Sequence, residues 1–290
     1  MNAIECDEKS LRAYYQSWES YFGYHIMLDG AQHYGYYDED TYWPVPIGES
    51  LERMQAKVAG LLALPVGSQI LEAGCGTARV ALSIAQRGMR VTAIDALDYH
   101  VEKSRQNVAR ANLKSGEVTV KKLDYHHLES IPRESHHGVY TVQALGHSDN
   151  LEVALMNFYR ILKPGGRVVL LETERRRIHK GEQIGDALSK KMRRVNEYVG
   201  YPTNEISREG YFEDLLKKSG FVDVEIRDYS KNILPMLRMC YFILLVPYFF
   251  VELFGLERLF TTMFAIHCGY TGRERWRFIA ISATKPQGCD

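Results

Sequence analysis

The chain has 290 residues, 46% hydrophobic and 25% charged, enough to bury one large α/β core or such a core with a cap, which argues against two fully independent domains. Its 36 Lys and Arg balance 36 Asp and Glu, so no long-range field draws it to nucleic acid or to an anionic membrane, and a small molecule is the expected partner. Five cysteines (Cys6, Cys75, Cys240, Cys268, Cys289) are widely spaced, with no CxxC pair or Cys/His metal spacing, which fits a reducing compartment.

The polar, acidic start MNAIECDEKSLR lacks the basic and then apolar run of a signal peptide, so a cytoplasmic protein is expected. Residues 1–60 carry an aromatic-rich stretch and the helical pattern SLERMQAKVAGLLAL, and read as an N-terminal lid. From Ser68 onward β-branched runs alternate with helical patterns, the signature of a parallel sheet. QILEAG is the first strand, ARVALSIAQRG a helix, MRVTAIDA the second strand, DYHVEKSRQNVARAN a helix, and EVTVKKLD the third strand. GVYTVQA is the fourth strand, LEVALMNFYRILKPGG a helix stopped by Lys163-Pro164-Gly165-Gly166, and RVVLLET the fifth strand. Glu174 to Ile206 is charged and helical; SREGYFEDLLKKSG is a helix, FVDVEIRDY the sixth strand, and WRFIAISATKP the last. The expected organisation is a lid over 1–60, a core over 61–230, an apolar helical cap over 231–275, and the last strand and tail over 276–290.

The cap holds the most apolar stretch, Met239 to Val251, thirteen residues with Pro247 inside. At that length it reads as short for spanning hydrocarbon, hence as a cap facing a lipophilic substrate through Phe242, Leu245 and Phe249. A homo-oligomer interface and peripheral membrane contact stay open for it; stable membrane insertion is not expected.

Chemistry concentrates at Leu71-Glu72-Ala73-Gly74-Cys75-Gly76-Thr77-Ala78, at the end of the first strand and the start of a helix. Gly74 and Gly76 let the backbone turn and approach a ligand, with Cys75 between them. Glu72, two residues before Gly74, would repel a pyrophosphate and attract the ammonium of a methionine moiety, which favours S-adenosylmethionine over NAD. Asp95, 21 residues after Gly74 and followed by Ala96, can accept both ribose hydroxyls, and Asp124, followed by Tyr125, can accept from an adenine amine.

The ordered set Glu-Ala-Gly-Cys-Gly-Thr at 72–77, Asp95, Leu123-Asp124, Gln143 and Leu162-Lys163-Pro164-Gly165-Gly166 resembles the class I S-adenosylmethionine methyltransferases over about residues 60 to 230. The resemblance implies a Rossmann-like α/β fold: a seven-stranded, mostly parallel sheet with an antiparallel last strand and helices on both faces. Ala78 departs from a frequent third glycine and is small enough for helix packing. Ala13-Tyr14-Tyr15-Gln16, Tyr21-Phe22-Gly23 and Gln32-His33-Tyr34-Gly35-Tyr36-Tyr37-Asp38 resemble the lid of the sterol, tocopherol and prenyl-type methyltransferases. That likeness implies that Tyr15 reaches the cofactor carboxylate and that residues around His33 close over its methionine end. Tyr14, Trp18, Tyr21 and Phe22 can add aromatic faces beside the cationic sulfur.

An acid often stands in these relatives where this chain has Gln143, which cannot be a base but can hydrogen-bond cofactor or substrate. His147 is the nearest group with a suitable pKa, and His147, His33 and Tyr21 are the catalytic candidates. His25, His179 and His267 have no specific support; His126-His127 and His136-His137 read as solvated loop residues, and Arg175-Arg176-Arg177 with Lys180 and Lys190-Lys191 with Arg193-Arg194 as solvated helix faces. No required metal is indicated. The expected function is methyl transfer from S-adenosylmethionine to a small lipophilic, terpenoid or sterol-like acceptor of secondary metabolism. The alternative is a non-methylating reaction on the same fold, such as a cyclisation; an NAD(P)-dependent oxidoreductase would lack Glu72.

Overall fold

The computed structural model describes residues 8–21, 23, 24, 28, 30–113, 116–177 and 186–288, so Cys6, Phe22, His25, His179, Lys180 and Cys289 lie outside the described residues. Helices α1 (Glu8–Tyr15), α2 (Trp18–Tyr21) and α3 (Ile47–Leu62) precede the sheet. In α3, Leu51, Met54, Val58, Leu61 and Leu62 are buried at helical spacing, and Ala63 ends the helix in a left-handed conformation. Strand β1 (Gln69–Ala73) and β2 (Arg90–Asp95) flank α4 (Arg79–Gln86); α5 (Asp98–Arg110) leads to β3 (Glu117–Lys122), and β4 (His136–Val142) ends in a short 3-10 turn over Leu145–His147. Asn150 caps α6 (Leu151–Ile161), its side chain accepting from the Val153 N–H at 3.2 Å. Next come β5 (Leu162–Arg175), α7 (Ala187–Val199), α8 (Pro202–Ile206), α9 (Tyr211–Lys218), β6 (Val222–Asp228), α10 (Ser230–Leu253), α11 (Thr261–Thr271) and β7 (Trp276–Thr284).

The seven strands form one sheet in the order β3-β2-β1-β4-β5-β7-β6. All pairings are parallel except those of β7, which runs antiparallel to both β5 and β6. The expected class is therefore the observed one. Leu71, Leu170 and Ile279 pack with Phe158 and Phe212 on one face, and Ile70, Leu171 and Phe278 pack with Val58 of α3, Ala81 of α4 and Ile233 of α10 on the other. Chain order reverses between β1 and β4, and the crevice beyond their C-terminal ends is where such a sheet takes a ligand.

Several local expectations need correction. The helix before β5 stops at Ile161, and Leu162 to Gly166 already belong to the strand, because Pro164 and the two following glycines cannot extend a helix. The charged stretch from Glu174 is not helical throughout: Glu174 and Arg175 close β5, paired with Arg277 and Trp276, before α7 and α8. The apolar stretch is not thirteen residues broken at Pro247. It lies inside the 24-residue α10, which runs through both Pro235 and Pro247 because packing against α11 and β7 outweighs the lost backbone bonds. By length and composition α10 could cross a membrane, and 28% of its most apolar window is buried.

Candidate active site

The loop after β1 forms the floor of the first cavity, about 260 Å³. Gly74 (φ 75°) and Gly76 (φ 53°) occupy left-handed backbone, where a Cβ would come 2.4 Å from Ala144 Cβ and 2.0 Å from Gln32 Oε1. Ala78 takes the same region at φ 59°, so the glycine frequent at this position answers a backbone need as well as a packing one. Glu72 is only 2% exposed; burial pushes its carboxyl well above the usual range, and its Oε2 has no hydrogen-bond partner. An orphaned, desolvated acceptor beside a glycine cradle fits a ligand that brings a cation.

Asp95 holds the loop from the other side. Its Oδ2 accepts from the Gly76 N–H (2.9 Å), and its Oδ1 accepts from the Leu97 N–H (3.0 Å) and from His100 Nδ1 (3.2 Å). His100 Nε2 then accepts from Gln32 Nε2 at 3.3 Å, so the lid is tied to the acid expected at the ribose. Asp124 accepts from the backbone and ring nitrogens of His126, both at 2.8 Å, and His126 also reaches Ser148 Oγ at 2.9 Å. His126 is therefore a structural bridge, and His136 is buried at the base of β4, so neither is the solvated residue expected. Cys75 is buried, 3.6 Å from Ser104 Oγ, while Ala96, Asp124 and Tyr125 join the cavity wall.

The lid supplies the roof. Tyr15 donates its hydroxyl hydrogen to His147 Nε2 (2.9 Å), because His147 Nδ1 donates to Gly200 O (2.9 Å) and leaves Nε2 as the acceptor. Burial pushes the His147 imidazole down to about 4, so it stays neutral and is a poor proton acceptor. His33 is tied in the same way, with Nδ1 donating to Tyr34 O (2.9 Å) and Nε2 accepting from Gln55 (3.3 Å), and burial lowers its pKa. Tyr21 is 50% exposed and lines neither cavity, and Trp18 packs edge-on against Phe260 on the surface, so neither stands at the reacting centre.

A second cavity, about 240 Å³, adjoins the first and shares Tyr15, Gln32, His33 and Gln143 with it. Met236, Leu237 and Cys240 of α10, Ile266 of α11, Met192 of α7 and Trp276 make its apolar wall, while Asn196, Asn204 and Thr173 add polar groups. The face of α10 differs from the one expected. Phe242 and Phe249 are 59% and 60% exposed, Leu245 is also exposed, and none lines the cavity, because the helix turns Met236 and Cys240 inward and those residues outward. His267, another candidate, stacks on Tyr248 at 4.0 Å and lines neither cavity.

Sequence reasoning missed His100 and Glu172, and gave Gln32 only as part of the lid motif. Glu172 is buried in β5, and its Oε1 accepts from the Ala144 N–H (3.1 Å), the Leu145 N–H (3.0 Å) and Thr141 Oγ1 (3.1 Å). It thus anchors the loop that carries Gln143 and His147, and an acid inside the apolar run RVVLLET was its signal.

Residues 71–170 match the model of a methyltransferase domain family. The chain is 47% identical to an S-adenosyl-L-methionine-dependent Diels-Alderase of Talaromyces variabilis over 282 residues, 97% of each chain. It is 53% identical over 216 residues to an S-adenosyl-L-methionine-dependent Diels-Alderase of a Neonectria species, covering 74% of this chain and 84% of the relative. Among solved structures, the 4+2 cyclase SpnF superposes with a TM-score of 0.76 at 18% identity over 99% of each chain, a likeness of fold.

Proposed function

The chain belongs to the S-adenosylmethionine-dependent family built on the class I methyltransferase fold, and we propose that within it the protein closes rings: it is a Diels-Alderase acting on a small lipophilic polyene. The observation that carries this reading is the 47% identity to a Diels-Alderase along 97% of both chains. The sequence alone placed methyl transfer first and cyclisation second; these relatives favour the second.

The site supports the reading independently. Methylation of an oxygen or nitrogen acceptor calls for a proton acceptor near the transferred methyl. Gln143 has no basicity; His33 is buried and His147 half-buried, both imidazoles are pushed toward the neutral form and both are engaged through their two ring nitrogens, while the carboxylate of the second cavity, Glu174, is paired with Arg277. An intramolecular cycloaddition needs none: two carbon–carbon σ bonds form as three π bonds become one, and no atom or proton enters or leaves.

S-adenosylmethionine is the cofactor; bound, its sulfonium would supply a fixed positive charge. Glu72 would take its ammonium, Asp95 its ribose hydroxyls and Asp124 its adenine amine. Tyr15, held by His147, closes the methionine end. The second cavity would hold the polyene folded between Met236, Leu237, Cys240 and Trp276. Holding a flexible chain with its reacting termini together removes much of the entropic barrier to ring closure.

The test is incubation with methyl-labelled S-adenosylmethionine and a linear polyene carrying a conjugated diene and a further alkene. The expected product is an isomer of the substrate, with the cofactor recovered intact. Label in the product together with S-adenosylhomocysteine would return the protein to methyl transfer.

A further inference from the structure

Gln143 stands at the junction of the two cavities and lines both. Its backbone is left-handed, φ 54°, a region that strains a non-glycine residue and persists where the surroundings impose it. Here the Gln143 N–H donates to Leu171 O at 2.8 Å, and Glu172 clamps the next two amides. The side chain is oriented as well. Its Oε1 accepts from the Tyr34 N–H at 3.3 Å, and since a backbone N–H can only donate, the oxygen must face Tyr34 and the NH₂ must face away. Among the described residues no protein acceptor takes the Nε2 hydrogens.

A strained residue therefore presents a fixed, unspent pair of donors at the boundary of a cavity whose α10 and α11 wall is apolar. We propose that Gln143 is a catalytic residue, donating an N–H hydrogen bond to a carbonyl oxygen conjugated to the reacting alkene of the substrate. This inference rests on the cycloaddition reading and narrows the substrate class to polyenes whose dienophile carries a carbonyl. Such a bond draws electron density toward oxygen, makes the alkene a better partner for an electron-rich diene, and strengthens as the transition state polarises. A carboxylate here would repel the same oxygen, whereas the neutral amide can donate to it.

Two variants test it. Gln143→Gly removes the donor while relieving the left-handed backbone, so the fold is kept; Gln143→Glu keeps the shape and replaces the donor with an acceptor. With a polyene whose alkene is conjugated to a ketone, both are expected to lose about 10- to 100-fold in kcat, with cofactor Kd changed by less than about twofold. With the corresponding hydrocarbon polyene, which has no oxygen to accept the bond, the loss in both variants should be clearly smaller. A carbon-13 ketone on a long-chain conjugated dienone, bound without turnover, should show its carbonyl stretch lowered in the wild type and unshifted in Gln143→Gly.

Wild-type kcat in Gln143→Gly, a parallel loss of cofactor affinity, or an unmoved carbonyl band in the wild type overturns the assignment. Failure of the cycloaddition reading looks different. It appears as a methylated product from the wild type, and the carbonyl band then still decides for or against the Gln143 donor.

Discussion

Replacing Glu172 probes how the reacting loop is held. One carboxylate oxygen accepts from two buried amides, Ala144 and Leu145, and from Thr141. In Glu172→Ala the Thr141 hydroxyl can rotate to another acceptor but the amides cannot, and an orphaned buried N–H costs about 1–3 kcal/mol, so about 2–6 kcal/mol is lost before relief from the buried carboxyl. Glu172→Gln keeps an oxygen in place and should cost less than about 1 kcal/mol near pH 5.

The pH dependence separates the two variants further. Burial pushes this carboxyl up to about 7 from an ordinary 4.5, so the folded protein retains a proton that the unfolded chain releases. Wild-type stability from this group is therefore full below about pH 4.5 and falls as pH rises toward about 7, by at most roughly 1.4 kcal/mol per unit. Glu172→Gln lacks that slope and should overtake wild type by about pH 8. Urea unfolding followed by tryptophan fluorescence at several pH values measures all three proteins. Equal midpoints for the alanine and glutamine variants, or a wild-type curve flat across this window, would refute the clamp.

Three further outcomes are expected. Glu72 must ionise to receive an ammonium, and burial raises its pKa, so S-adenosylmethionine affinity should rise with pH and binding should release a proton; Glu72→Gln should lose about 10- to 100-fold, both read by calorimetry in buffers of different ionisation enthalpy. Tyr15→Phe deletes the bond to His147 and should weaken cofactor binding by about 0.5–1.5 kcal/mol with an unchanged circular dichroism spectrum; undiminished affinity would remove Tyr15 from the roof. Cys240→Phe fills the second cavity and should raise KM, whereas Phe242→Ser and Phe249→Ser on the outer face should leave KM as it is; the reverse pattern in steady-state kinetics would place the substrate on the other side of α10.

The outer face of α10 marks where sequence and structure diverge most. Its leucines, phenylalanines and valines are equally apolar all round, and no periodicity separates the residues that line the cavity from those that do not. The same holds for the lid: Tyr15 and Tyr21 are indistinguishable by type, yet one bonds His147 and the other lies at the surface.

The alternation of β-branched runs with amphipathic helices, the glycine turn after the first strand and the acids at 72, 95 and 124 are local patterns. They sufficed for the fold class, the family and the cofactor, because backbone period and strand-end position are written within a few residues of each other. The protonation and partners of His147, the amide direction of Gln143 and the wall of the second cavity come from contacts between remote segments. Tyr15 meets His147, Tyr34 meets Gln143, and residues of α7, α10 and α11 come to line one cavity only after the sheet has closed, so tertiary packing alone decided them.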